Sequence, residues 1–379
     1  MPIAVRRLGF LAAGLTPLII TTAGHAVILY ATADRNGAPA PGSIAEVPWI
    51  LQGQFGGAFL GTPIAPNYFI TASHIGGDST VPFVFRGSTY TIDPSYGTGG
   101  GFSIPGSDLH IWKVNETFPA FAPLYGTSAT PSETNKHLVV LGRGTQRGTE
   151  VTVGGQLKGW EWGTADFMQS WGENTVSAIV NGNADQGDFV GFDFNAGVAN
   201  EGTLSGFDSG GGLFVQQGTE WQLAGINYGV DGPFSLTGDE SDPGFNAAIF
   251  DKRGLYELGQ GGWQLVNGGS EVPATAYSSR ISSRISAIYS AIPSFAIKQQ
   301  VYFVRGGTTA DVGTVDASTS ITVGTSSNPA TLRATYVRTG ELKIERISHV
   351  QIKPNGSDAA VSRVDKLTFS GTAIGQLDL

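Results

Sequence analysis

Between residues 44 and 265 the apolar residues come in short runs, and Gly, Pro, Asn or Asp interrupts them every few positions. Tyr68-Phe69-Ile70 and Leu138-Val139-Val140-Leu141 are typical. Runs of this length, bounded by turn residues, read as strands of an antiparallel sandwich or barrel. Long helices have no room in such a pattern. Glycine supplies much of the punctuation, at 55 of 379 residues, while charged residues make up only 14%. Together they describe a β-rich, loop-rich exported protein. The length allows a large core and two or three domains. There are no cysteines, so packing alone must hold the fold, and thiolate metal sites and a cysteine nucleophile are excluded.

Chemistry concentrates in three places. Leu204-Ser205-Gly206-Phe207-Asp208-Ser209-Gly210-Gly211-Gly212 sets one serine after an aspartate and before three glycines. A serine hydroxyl needs activation before it can attack a carbonyl. Glycines after it permit a tight turn and close approach of a substrate. Asn67-Tyr68-Phe69-Ile70-Thr71-Ala72-Ser73-His74 carries a histidine just past a strand, among small residues. Of the five histidines, His25 lies in an apolar leader, His110 and His137 look like strand residues, and His349 lies in the tail. Only His74 has the setting of a base. Gly106-Ser107-Asp108-Leu109-His110-Ile111 opens a strand with an aspartate, which could orient an imidazole and stabilise its protonated form. Each stretch also has a plain structural reading, as a glycine turn, a core histidine and a turn aspartate.

Thr71-Ala72-Ser73-His74, Ser107-Asp108-Leu109-His110-Ile111-Trp112-Lys113-Val114 and Asp208-Ser209-Gly210-Gly211 resemble the T-A-A-H, D-I-A-L-L-K-L and G-D-S-G-G motifs of the trypsin-like (chymotrypsin-fold) serine peptidases. The order His, Asp, Ser is that family's. Glu46-Val47-Pro48-Trp49-Ile50-Leu51 resembles its opening strand, and Ala224-Gly225-Ile226-Asn227-Tyr228-Gly229 its substrate-pairing strand. Asp242-Pro243-Gly244-Phe245-Asn246 resembles the segment that follows. The resemblance spans roughly residues 44–292. It implies an all-β fold of two six-stranded antiparallel barrels with a C-terminal helix, and a cleft holding His74, Asp108 and Ser209 as the catalytic residues. It places the N–H groups of Phe207 and Ser209 in an oxyanion hole. It assigns substrate contacts to Thr203, Asn227, Tyr228, Gly229 and Gly244. No metal or cofactor is implied.

Two departures stand out. Phe207 replaces the family's glycine, and a Cβ is costly there if the position requires a positive φ. A resting peptide turned away from the hole would follow. The family also pairs the aspartate before the serine with a newly freed N-terminus, and no I-V-G-G sequence precedes Pro48. Asp208 needs another partner, and removal of a leader could expose Val27-Ile28. Thr203, Gly229 and Gly244 imply an open, uncharged primary pocket for an apolar or aromatic side chain. Residues 195–250 contain no Lys, Arg or His, so an acidic side chain would find no counter-charge. Asp231, Asp239, Glu240 and Asp242 read as a solvated loop.

The ends divide the chain. Arg6-Arg7, the apolar run Leu8 to Ile20, and Gly24-His25-Ala26 form a secretory signal cleaved after Ala26, and the apolar run is too short to span a bilayer comfortably. Residues 1–26 are therefore expected to be a signal peptide, 27–298 the peptidase domain and 299–379 a β-rich C-terminal region. Residues 27–43 look like a polar lead-in. Ile281, Ile285 and Ile288 suggest an amphipathic helix over 277–291 that closes the domain. Beyond Gln299, the pairs Ile321/Val323, Leu342/Ile344 and Leu367/Phe369 recur like rungs of a β-solenoid or a small sandwich. The net charge of -9 argues against nucleic acid or anionic membrane as partners.

The expectation is a secreted or cell-surface bacterial serine endopeptidase acting on protein or peptide substrates, with no membrane span in the mature chain and no cofactor. The C-terminal region is the candidate for surface attachment. Two other readings remain at this point: a protease-fold binding module with little or no activity, and a structural surface protein dominated by its C-terminal β region.

Overall fold

A computed structural model describes residues 26–126, 132–218, 220–292, 296–304, 306–325, 327–354, 361–370 and 375–379. The proposed signal peptide therefore lies outside the described residues, apart from Ala26.

Strands dominate, as the short apolar runs require. Seven form one antiparallel sheet, in the order Ser88–Tyr90, Phe83–Phe85, Gly53–Phe55, Phe59–Ala65, Tyr68–Ala72, Leu109–Lys113, Gly101–Ser103. Six more close into an antiparallel barrel: Ser170–Asn181, Asp188–Asp193, Thr275–Arg280, Glu220–Val230, Gly212–Gln217 and His137–Gly142. The hairpin of Thr145–Val153 and Gln156–Ala165 adds Ala247–Ile249 as a third strand.

The alternation of side chains along each strand sorts them between cores. On His137–Gly142, Leu138 and Val140 fill the barrel with Phe192, Leu213 and Val215. Val139 and Leu141 face the other way, toward Leu60, Ile70, Ile111 and Phe214. Phe69 and Trp112 point from the seven-stranded sheet into an aromatic core with Phe55, Phe83 and Phe118. The strands thus run apolar on both faces, and the sheet and barrel share one interior without a disulfide.

Three expectations change. The first sheet is a half-barrel and not a second closed barrel. Its edge strands are three residues each, and residues 91–100 between them form no further strand, meeting the sheet through the isolated bridges Ile92–Val114 and Thr98–Gly101. The segment 277–291 is helical only over Ile285–Ala291. Thr275–Arg280 is a strand that closes the barrel between Asp188–Asp193 and Glu220–Val230, and the backbone pairing there overrides the isoleucine spacing. Glu46–Ile50 is a short helix and not a strand, since Pro48 can offer no N–H to a ladder but fits a helix's first turn.

After the helix the chain alternates between two four-stranded parallel sheets. Ala296–Val304, Thr314–Val323, Tyr336–Glu345 and Arg363–Ser370 build one. Thr309–Asp311, Thr331–Ala334, His349–Ile352 and Gln376–Asp378 build the other. Val315, Ile321, Leu332, Leu342 and Val350 bury between them.

Candidate active site

Strand ends bring the site together. His74 follows the strand Tyr68–Ala72, and Asp108 immediately precedes its partner Leu109–Lys113. The Ser73 N–H donates to the Asp108 carbonyl at 2.7 Å, which extends the ladder one step and fixes the two residues side by side. The Asp108 carboxylate then holds histidine twice. Its Oδ1 accepts from the His74 backbone N–H at 2.9 Å, and Oδ2 lies 2.6 Å from the ring Nδ1. An ionised carboxylate only accepts, so Nδ1 carries the proton. Nε2 is left bare, 2.8 Å from Ser209 Oγ, whose hydroxyl can donate to it.

Ser209 sits on a turn that only glycines allow to its C-terminal side. Gly210 has φ +82, and a Cβ there would stand 2.4 Å from Thr71 Oγ1 and 2.5 Å from the Leu60 carbonyl. A Cβ on Gly211 would lie 2.0 Å from the Leu141 carbonyl. Gly210→Ala is expected to cost about 2–4 kcal/mol of stability through strain and overpacking together, measurable by urea denaturation. Asn227 supports the turn from below. Its buried Nδ2 donates to the carbonyls of Leu141 and Asp208 at 2.7 and 3.1 Å, and its backbone carbonyl accepts from the Gly210 N–H.

Phe207 takes φ +69, in the left-handed region. Among the described residues, neither its N–H nor that of Ser209 donates to a protein acceptor. Two donors beside the hydroxyl are therefore open to a ligand oxygen. The backbone strain is accepted, and the side chain is left 43% exposed.

Asp208 is buried, at 1% exposure. Its Oδ1 accepts from the Gly144 N–H at 2.7 Å. Its Oδ2 accepts from the Ser205 N–H at 2.7 Å, the Ser205 hydroxyl at 3.0 Å and the Val27 N–H at 3.3 Å. Among the described residues no basic side chain pairs with it. Burial outweighs these hydrogen bonds and pushes the carboxyl up to about 6. Val27 is wholly buried because Ile28–Leu29 pairs with Gly202–Thr203. The lead-in is thus a structural strand at its start. The missing I-V-G-G sequence pointed to Val27 as a partner, while nothing in the sequence marked Gly144 or Ser205.

Of the other expected contacts, Tyr228 stands with its ring edge-on to His74, 5.5 Å between centroids. A bulge puts it there, since Asn227 pairs with Ser278 and Gly229 with Tyr277, leaving Tyr228 unpaired. Gly229 faces open space. Thr203 is buried against Ile28. Gly244 packs against Trp263, 2.5 Å from where its Cβ would be.

Asp231 is no solvated loop residue. It accepts from Lys252 Nζ, the Thr275 N–H and the Tyr277 hydroxyl, so its charge is committed elsewhere. The remaining described histidines stay apart from the site. His137 meets Glu173 and His349 meets Asp378. His110 is bonded through Nδ1 to Ser103, and burial holds it down at about 4. Among the described residues no three metal-ligating side chains converge.

No family model matches the chain, and no curated protein does. Solved structures do. An inactive-form structure of Rv3671c from M. tuberculosis H37Rv is similar at 14% identity, covering 69% of this chain and 97% of the other, with a TM-score of 0.35. Another inactive-form structure of the Rv3671c protease matches at 17%, over 52% and 88%, with a TM-score of 0.32. Neuropsin, a serine protease expressed in the limbic system of mouse brain, matches at 12%, over 63% and 92%, with a TM-score of 0.36. At such scores the functional reading rests on the geometry of the site itself.

Proposed function

We propose that the chain is an exported serine endopeptidase. One observation carries the reading: a hydroxyl, an imidazole and a carboxylate in series, at 2.8 and 2.6 Å. As Ser209 Oγ bonds to the scissile carbonyl carbon, its proton passes to His74 Nε2. Asp108 stabilises the resulting imidazolium through Nδ1–H. The carbonyl oxygen gains charge and accepts from the N–H groups of Phe207 and Ser209, each worth about 3–4 kcal/mol in the transition state. His74 then gives the proton to the leaving amine. Water, deprotonated by the same nitrogen, releases the acyl group. The residues before the scissile bond would lie along Asn227-Tyr228-Gly229, and an uncharged primary pocket favours an apolar or aromatic side chain.

Export follows from the leader, with cleavage after Ala26, and the parallel sheets beyond the helix are the part suited to surface attachment. Among the described residues no helix is long and apolar enough to cross a membrane. A fluorophosphonate probe tests the chemistry. It should label the chain beginning at Val27 and leave Ser209→Ala unlabelled. Equal labelling of both sinks the proposal.

A further inference from the structure

We propose that Phe59, Phe167 and Phe207 form an apolar subsite that selects a large apolar residue, best an aromatic one, immediately after the scissile bond. The inference rests on the peptidase reading and goes beyond it.

The starting point is Phe207 itself. Its N–H would be equally available from glycine, which reaches φ +69 without strain. A phenylalanine there bears the strain and still leaves 43% of its surface in water. Its ring therefore adds little to the fold. It does make ring contacts on two sides. Phe59, from the seven-stranded sheet, lies 6.0 Å away with planes tilted by 41°. Phe167, from the loop after the strand Gln156–Ala165, lies 5.2 Å away edge to face. Three half-open rings thus bridge the cleft from the half-barrel to the loop at the barrel's edge.

Phe167 is held as firmly as Phe207. Its φ is +55, and the Arg143 guanidinium donates twice to its carbonyl, through Nε at 2.6 Å and through a second nitrogen. That guanidinium is thereby committed to a backbone carbonyl, and the neighbouring Asp166 carboxylate is paired with Arg35. Met168, 48% exposed, continues the apolar surface.

Direction follows from the chemistry. The acyl part lies along Asn227-Tyr228-Gly229, on the side of His74 where the Tyr228 ring stands. The carbonyl oxygen points at the amides of Phe207 and Ser209. The leaving residue must then depart on the opposite side, over the Phe207 ring. An aromatic side chain there exchanges water for three ring faces and edges.

The test uses paired peptides that differ only in the residue after the scissile bond, Phe or Gly, with kcat/KM measured for each. The wild-type chain should prefer Phe by about 10- to 100-fold, the fold-change that burying one large apolar side chain gives. Phe167→Ala and Phe59→Ala should each bring the ratio below about 3-fold. The ratio is internal to each variant, so a loss of overall activity does not disturb it. Equal rates on both peptides in the wild type, or a ratio unmoved in both variants, overturns the subsite alone. No hydrolysis of either peptide and no probe labelling overturns the peptidase reading and the subsite with it.

Discussion

Replacing Ser209 by alanine is expected to lower kcat/KM for peptides by about 10⁴- to 10⁶-fold. Removing His74 as well should cost almost nothing further. The three side chains stand in series through two short hydrogen bonds. Once the hydroxyl is gone, a base has nothing to activate, so the losses cannot add. Activity above the uncatalysed rate, about 10³-fold, should persist in every such variant, because the amides of Phe207 and Ser209 still meet the carbonyl oxygen. Asp108→Asn isolates the orienting step. The amide keeps an oxygen for the His74 backbone N–H but turns an NH₂ toward Nδ1. The ring must then carry its proton on Nε2 and can no longer accept from Ser209. A loss near 10⁴-fold with unchanged thermal stability is the expected signature. Turnover above about 1% in Ser209→Ala would show that another group attacks the carbonyl.

Much of this site could be read from the chain because its signals are local. His74 and Asp108 stand at strand ends, where the apolar run stops and a functional side chain can point into a cleft. Ser209 announces itself by three glycines that close contacts demand. Phe207 was visible as a departure, and the structure shows how it is met, with a strained φ and an exposed ring. What escaped the sequence depends on pairing across long separations. Phe59 and Phe167 converge on Phe207 from a strand and from a distant loop, and neither carries a local mark. The half-barrel stays open because its edge strands are short, a property of partners rather than of any one strand. Ile281, Ile285 and Ile288 do bury, but barrel closure claims the residues up to Arg280 as strand. Val27-Ile28-Leu29 seemed part of a lead-in, because nothing before the fold says that Gly202–Thr203 waits as its partner.

That last strand leads to the second large effect. A chain beginning at Val27 is expected to hydrolyse peptides about 30- to 160-fold faster at pH 8 than one retaining Ala26, the difference of about two to three kcal/mol that a buried, unpaired carboxylate makes. Val27 N lies 3.3 Å from Asp208 Oδ2, and both residues are buried. While Ala26 is attached, that nitrogen is a neutral amide and the carboxylate has no cation. Its pKa, pushed by burial up to about 6 in the fold from an ordinary 3.8, makes the folded chain bind more protons than the unfolded one between those values. Stability then falls as pH rises through that window, by roughly 3 kcal/mol in all. The proposed cleavage after Ala26 turns the amide into an ammonium and the hydrogen bond into a charge-assisted pair. It also relaxes Val27, whose φ of +53 is strained for a β-branched residue only while a preceding carbonyl exists. The turn carrying Phe207 and Ser209 is anchored through Asp208, so securing the carboxylate secures the two amides. The cleaved form also loses stability as pH rises, but in an alkaline window. An amine that gains a partner has its pKa raised above the usual 7.7–8.0, and its contribution is lost as pH rises through that higher value. Activity of the Val27 form should therefore hold from pH 7 to 9 and fall beyond it. The Ala26 form should lose thermal stability between pH 4 and 7 and show no such alkaline fall. Thermal midpoints and kcat/KM for both forms across pH 4 to 11 decide it, and identical profiles would show that Asp208 needs no cation.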